Sequence, residues 1–322
     1  DATGNKIYVS EGGFIANAEA FDNHFFDISA AEATLIDPQQ RLLLDTGTVA
    51  LYDAGFSKQS LKEARMGVYC GVGSPDFRDL SARDQAVIGA FSATGSALCI
   101  CANRISYALG LKGPSIALDT ACSSALTAIS LGHQALLQHT CDGALAEGVN
   151  LLLAPTTFVA TCKARMLSPN GRCRTFDAGA DGYVRGEGCG AIVMVRSSDV
   201  TGEQKVLATI QATALNQDGR TATLTAPNGP SQQDVISSAL RMAGITGADI
   251  NYLETHGTGT PLGDPIEVGA LQSVLGAGRE QPLVLGAVKT NIGHLEAAAG
   301  IASIIKSVLV LQNQTVPPNL HF

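Results

Sequence analysis

The 322-residue sequence is acidic, with a net charge of −8, 16% charged and 45% apolar residues, 35 glycines and no tryptophan. A charged share well under the roughly 25% of an average soluble domain implies much interior relative to surface, as in a thick layered fold or an obligate oligomer packed with small side chains. No lysine or arginine block invites nucleic acid, the eight cysteines form no CxxC pair and fit a reducing, cytoplasmic compartment, and neither a signal peptide nor a membrane span is legible.

From Lys6 to Phe26 the pattern is mixed, a surface excursion with a turn at Gly12-Gly13 and an aromatic cluster of Phe21, Phe25 and Phe26. Asp37-Pro38 then predicts a helix, with Asp37 as cap and Pro38 in the first position, running through Leu42 to Leu44, Val49 and Leu51 to a stop at Gly55. Met66 to Gly73 reads as a strand, Phe91 to Leu109 as a helical region, and Ser115 to Leu118 as a buried strand after the Gly113-Pro114 turn. Asp119 and Thr120 break that apolar run. From Cys122 onward, small residues open a helix whose apolar positions Ala125, Leu126, Ala128, Ile129 and Leu131 recur at helical spacing. Cys122 therefore stands where a strand hands over to a helix, beside free N–H groups and the positive end of a helix dipole, a placement that favours thiolate. A lone cysteine among alanines is more often core filler, so its reading depends on the partners the rest of the chain supplies.

Ala144 to Leu153 reads as a strand ended by Pro155, and Phe158 to Glu187 as a long loop of the kind that carries function. Gly188 to Val195 and Val206 to Asn216 have strand length, Gln232 to Ala243 is helical in period, and Ile250 to Glu254 and Leu283 to Val288 are strands leading into HGTGT and KTNIGH. The closing helix, Glu296 to Leu311, contains the longest apolar stretch, too short to span a membrane and carrying Lys306. An internal echo links SIALDTACSSALTAI with LVLGAVKTNIGHLEAAAGIASI, each a strand, a polar loop and a small-residue helix. Duplication of one α/β unit would bring Cys122, His256, Lys289 and His294 to one cleft.

His256 and His294 each adjoin a glycine, so backbone and ligand can approach closely. Neither HxH nor HxxxH spacing nor an acidic ligand set accompanies them, so no metal is expected. HGTGT lacks both the P-loop spacing and GxGxxG, which discounts nucleotides. One histidine beside a cysteine would suggest hydrolase-type chemistry; two histidines and a buried lysine suggest donors around a carbonyl oxygen where negative charge develops.

DTACSSAL, ETHGTGT and KTNIGHLEAAAG, in that order, resemble the three signature motifs of β-ketoacyl synthases. DPQQRLLL, the loop RMLSPNGRCRTFDAGADGYVRGEG and VPPNLHF resemble the modular polyketide synthase branch, and the likeness runs from Lys6 to Phe322. The resemblance implies an α/β, thiolase-like fold of duplicated halves in five alternating layers (αβαβα), residues 1–190 with the nucleophile and 191–322 with both histidines. It implies Cys122 as the nucleophile that takes an acyl chain from the phosphopantetheine of an acyl carrier protein, with His256 and His294 bonding the thioester carbonyl of a malonyl-type extender during decarboxylation. Lys289 would favour negative charge, Thr258 and Thr260 would contact the pantetheine arm, and Asp264, Glu267 and Glu296 would support them. It further implies a homodimer paired through the strand before the nucleophile, neighbouring synthase domains, and no metal or diffusible cofactor. A fatty acid synthase condensing domain and a non-elongating carrier-protein-binding homologue are the alternatives. Family members normally start earlier and continue to a GFGGTN-type loop that supplies an oxyanion donor besides the Cys122 N–H. The sequence thus reads as a fragment, poorly active or aggregation-prone alone. Thr48 stands where relatives often carry tryptophan.

Overall fold

The computed structural model describes residues 6–83, 88–202 and 204–322, so the opening residues Asp1 to Asn5 of the expected first half lie outside them. Helix α1, Pro38–Asp53, forms as predicted: the Asp37 carboxylate accepts the Gln39 N–H at 2.8 Å, and Pro38 takes the position where a missing N–H costs nothing. It fully buries Leu43, Leu44 and Leu51, each contributing about 1.5–3 kcal/mol. Strand β1, Met66–Val72, is buried along its whole length. The region Phe91 to Leu109 is not one helix but a short turn, Ser92–Ser96, followed by α2, Ile100–Leu109. The break has a visible cause: the Gly95 carbonyl is taken by the Asp37 N–H at 2.8 Å and the Gln40 amide at 3.1 Å, so it cannot continue a helical ladder.

Strand β2, Ser115–Leu118, leads through a 3-10 turn, Ala121–Ser123, into α3, Ser124–Leu137. Then come β3, Gly143–Asn150, and α4, Pro155–Lys163, whose proline occupies the first turn; the long loop therefore begins after Lys163 rather than at Phe158. The remaining elements are β4, Gly188–Val195; α5, Gly229–Ala243; β5, Tyr252–Glu254; α6, Gly263–Leu275; β6, Val284–Gly286; and α7, Ala299–Asn313. The predicted last helix starts as a separate 3-10 turn, Glu296–Ala298. Val206 to Asn216, expected as a strand, carries no ladder among the described residues. It lies against α3 instead, where the Thr213 hydroxyl meets Ser130 at 3.0 Å and His133 at 3.1 Å.

The larger sheet has the order β2-β1-β3-β4, parallel except for β4, and β5 pairs with β6 in a small parallel sheet. Helices α1 and α2 cover one face of the larger sheet; α3 and α7 lie against its other face, with the small sheet beyond them and the α5–α6 pair completing the αβαβα stack. The middle layer is packed with small residues because two helix starts converge on β3. A side-chain carbon added at Gly148 would lie 2.8 Å from Ala125 and 3.2 Å from Ala298.

On the opposite face of β3, Glu147 is fully buried, and burial pushes its carboxyl up to about 8. It fits because Gly47 on α1 has no side chain; a carbon there would lie 2.6 Å from Glu147 Oε1. Thr48 is likewise buried.

Candidate active site

The nucleophile turn is built from local bonds. Asp119 accepts the Ala121 N–H at 2.8 Å, Ser124 Oγ accepts the Thr120 N–H at 2.9 Å, and the same hydroxyl donates to the Ala121 carbonyl at 2.7 Å. Ala121 is forced to φ 55, in the left-handed region that costs an L-residue about 1–2 kcal/mol. This kink lifts Cys122 off the helix and leaves it exposed. Close approach of β1 beneath requires Gly71, where a side-chain carbon would lie 2.6 Å from the Ala125 nitrogen.

The expected thiolate preference is corrected by the structure. Although Cys122 keeps solvent-facing surface, protein crowded around the sulfur pushes its pKa up, and the opposing pull of Lys289 and a backbone hydrogen bond does not cancel that burial. Glu296 adds to the rise. A helix dipole acts over one turn at modest strength, so desolvation wins.

His256 follows β5. Glu267, on α6, accepts the backbone N–H groups of His256 at 2.6 Å and Gly257 at 2.9 Å. Asp264, at the start of α6, accepts those of Gly259 at 3.1 Å, Thr260 at 3.2 Å and Phe176 at 2.8 Å, tying HGTGT to the long loop. Gly259 is needed at φ 78, with the Arg174 nitrogen only 2.7 Å from where a side-chain carbon would sit. The Thr258 and Thr260 hydroxyls lie 3.3 Å apart on this loop, Thr258 buried and Thr260 half-buried.

His294 is held from the long loop as well. Its N–H donates to the Val184 carbonyl at 2.8 Å, and its own carbonyl accepts the Gly186 N–H at 2.9 Å. Its ring Nδ1 accepts the Glu296 N–H at 3.1 Å, so the neutral ring carries its proton on Nε2. Glu296, at φ 46, is held by Arg185 Nε at 2.5 Å and Nη2 at 2.9 Å. Sequence reasoning missed Arg185; its partner lies 111 residues away, and only its place in the long loop could have drawn notice.

Lys289 begins a short helical turn, Lys289–Ile292, and is almost fully buried. Burial lowers its pKa, against the raising influence of Glu267, Cys122, Cys173 and Glu254.

Three of the four groups expected to converge meet: the Cys122 sulfur and a ring nitrogen from each of His256 and His294 lie within 4.8 Å of one another, and the Lys289 charge acts on all three. The imidazoles meet edge to face, centroids 5.5 Å apart, and Tyr183 stands edge-on to His294 at 5.1 Å. Burial, then Lys289, pushes His256 down to about 3 even though it keeps a solvent-facing edge, and the same two causes take His294 well below its ordinary value. Both rings are therefore neutral across ordinary pH. The set offers one sulfur nucleophile, neutral imidazole N–H groups and a nearby cation. The spacing also suits a metal's ligand atoms, but the His294 tautomer makes Nε2 a donor and not a ligand. An apolar cavity of about 860 Å³, lined by Ile292, Leu295, Ile301, Ile305 and Leu309 among others, contains none of these reactive groups.

The β-ketoacyl synthase N-terminal domain family matches residues 1–200 and the C-terminal domain family residues 207–322. One polypeptide of the phenolphthiocerol/phthiocerol polyketide synthase of Mycobacterium tuberculosis is 50% identical over 321 residues, covering 98% of this chain and 18% of that protein. Another polypeptide of the same synthase is 48% identical, covering 99% of this chain and 21% of that protein. A ketosynthase from module 6 of the bacillaene synthase of Bacillus subtilis superposes with a TM-score of 0.91 at 40% identity, covering 100% of this chain and 55% of that one. An oxazolomycin ketosynthase domain from Streptomyces albus gives 0.93 at 40% identity, covering 100% and 57%. The chain thus spans about a fifth of the curated relatives and a little over half of the solved structures.

Proposed function

The chain belongs to the β-ketoacyl synthase family, and from that premise we propose that it is the condensing domain of a modular polyketide synthase. The observation that carries the reading is the meeting of the Cys122 sulfur with His256 and His294 within 4.8 Å.

In the first step, the Cys122 sulfur attacks the thioester carbonyl of an acyl chain on an acyl carrier protein. A carbon–sulfur bond forms to Cys122, the bond to the phosphopantetheine sulfur breaks, and the departing thiol takes the proton that Cys122 gives up. Thr258 and Thr260 contact the pantetheine arm on the loop shaped by Asp264 and Glu267. In the second step, a malonyl-type thioester enters and loses its carboxylate as carbon dioxide; the electron pair passes into the thioester carbonyl as an enolate. His256 and His294, neutral at working pH, donate to that oxygen. The enolate carbon then attacks the Cys122 thioester, a carbon–carbon bond forms, and the cysteine sulfur leaves as thiolate, favoured by Lys289 until it regains a proton.

The carrier protein and the neighbouring synthase domains are the partners of this reading. A second copy is another: β2 is an edge of the larger sheet and Ile116 on it is exposed, so that edge is free to pair with its twofold mate. The division into two halves is proposed past Val195 rather than between residues 190 and 191, because a cut there would split β4, Gly188–Val195, every residue of which pairs with β3 in the first half's sheet. The presence of Cys122, His256 and His294 together favours condensation over a non-elongating carrier-binding role.

Separate assays test the two steps. Acyl transfer to the protein, followed by mass spectrometry, is expected at Cys122 and absent in Cys122→Ala. Carbon dioxide release from a malonyl thioester is expected to fall roughly a hundredfold to a thousandfold in His256→Ala and in His294→Ala. Thioester hydrolysis without carbon dioxide release, or release indifferent to both histidines, overturns the reading.

A further inference from the structure

We propose that Arg185 is a positioning residue that decides which nitrogen of His294 carries the proton, and thereby supports decarboxylation without taking part in acyl transfer. The proposal rests on the ketosynthase reading for its catalytic consequence, though its structural core does not.

Arg185 grips His294 through two routes. Its main chain belongs to the segment that brackets the histidine, with the Val184 carbonyl accepting the His294 N–H and the Gly186 N–H donating back, at 2.8 and 2.9 Å. Its side chain reaches past the histidine to Glu296, two residues on, and forks across both carboxylate oxygens. Glu296 is a non-glycine residue at φ 46, a conformation that persists only where the surroundings enforce it. That conformation aims the Glu296 N–H at His294 Nδ1. An imidazole that accepts at Nδ1 must, when neutral, keep its proton at Nε2, the form a hydrogen-bond donor to an enolate oxygen requires.

The pair is an expensive way to hold a fold. The Arg185 side chain is wholly buried, its Nη1 finds no hydrogen-bond partner among the described residues, and its guanidinium lies 4.4 Å from the Phe158 ring centre. Buried ion pairs can often be replaced by apolar residues of similar volume without loss of stability. What an apolar pair would not preserve here is the directed restraint on Glu296, and hence on the ring.

The test uses the double variant Arg185→Met/Glu296→Leu together with Arg185→Lys, which keeps charge but not the fork, in the protein with its flanking domains. In native protein, ¹⁵N spectra of histidine-labelled samples should show His294 Nδ1 unprotonated, and the double variant should show protonation shared with Nδ1. Carbon dioxide release from a malonyl thioester should fall at least tenfold in the double variant and by less in Arg185→Lys, while acylation of Cys122 does not fall, since losing Glu296 removes an influence that raises the thiol pKa. A merely structural role would lower both steps together, in proportion to the loss of folded protein, and that outcome overturns the proposal. So does an unchanged Nδ1 signal in the double variant. If the double variant does not fold, Arg185→Lys carries the same two readouts, with the same outcomes deciding. Native protein that releases no carbon dioxide would refute the ketosynthase reading, and the nitrogen signals would still decide the positioning.

Discussion

Two short turns in this molecule share a backbone and differ in chemistry. Ala121–Ser123 opens α3 and Glu296–Ala298 opens α7; each starts with a non-glycine residue in the left-handed region, φ 55 and 46, and each passes into an α-helix three residues later. The two turns and their helices pack on one another over β3, with Gly73 between Asp119 and Ala297. The equivalent positions are Cys122, which is exposed, and Ala297, which is buried. One half uses the kink to offer a sulfur to substrate. The other uses it to aim a backbone N–H at the imidazole beside that sulfur. Their supports differ in the same way: the first is held by Asp119 and Ser124, within a few residues, and the second by Arg185 from another segment. Duplication supplies the frame, and a few side chains decide which copy is the reagent and which the holder.

The largest expected effect lies in the second turn. Glu296→Ala leaves the buried Arg185 guanidinium without its counter-charge, and breaking a buried pair from one side costs about 3–5 kcal/mol. Urea unfolding should read that loss, and Glu296→Gln, which can still accept from Arg185, should recover more than half. A cost below about 1 kcal/mol would mean that the second turn, like the first, is supported locally.

Much of this was legible in the chain. Asp37-Pro38 marks the start of α1, the span of β4 agrees at both ends, and the order of the three motifs carries the residues that converge. What escaped depends on contacts distant in sequence. The break before α2 exists because Gln40 and Asp37 take a carbonyl more than fifty residues away. Val206 to Asn216 has strand chemistry, but a strand needs a partner, and that stretch meets the side of α3 instead. Glu147 reads as an ordinary strand position and is in fact a fully buried carboxyl opposite Gly47. Cys122 was placed correctly at its junction, whereas its acidity depends on how much protein surrounds the sulfur, which no local motif records.

That acidity gives a second way to sharpen the contrast between the turns. Lys289 lowers the Cys122 pKa while burial raises it, so removing the charge in Lys289→Met should move the thiol further up. Iodoacetamide reacts with the thiolate; its rate should climb with pH in both proteins, with the variant's profile displaced to higher pH. A displacement of about one unit would make alkylation about tenfold slower wherever both thiols are mostly protonated. A profile that does not move, or that moves to lower pH, would mean that Lys289 serves the fold alone.

The smallest effect is the most discriminating. Ala121→Gly removes a left-handed penalty of about 1–2 kcal/mol but adds roughly 0.5–1 kcal/mol of unfolded-chain entropy, so the net change should lie between about 0 and 1.5 kcal/mol of added stability. The hydrogen bonds from Asp119 and Ser124 act on backbone atoms that glycine retains, and Cys122 should be alkylated at close to its native rate. Glu296→Gly relieves the same kind of strain at the equivalent position, yet it also strips Arg185 of its partner. The gap between the two glycine variants in urea unfolding therefore isolates the ion pair from the kink. Equal costs would show that the left-handed residue itself, and not its long-range support, is what distinguishes these turns from ordinary helix starts.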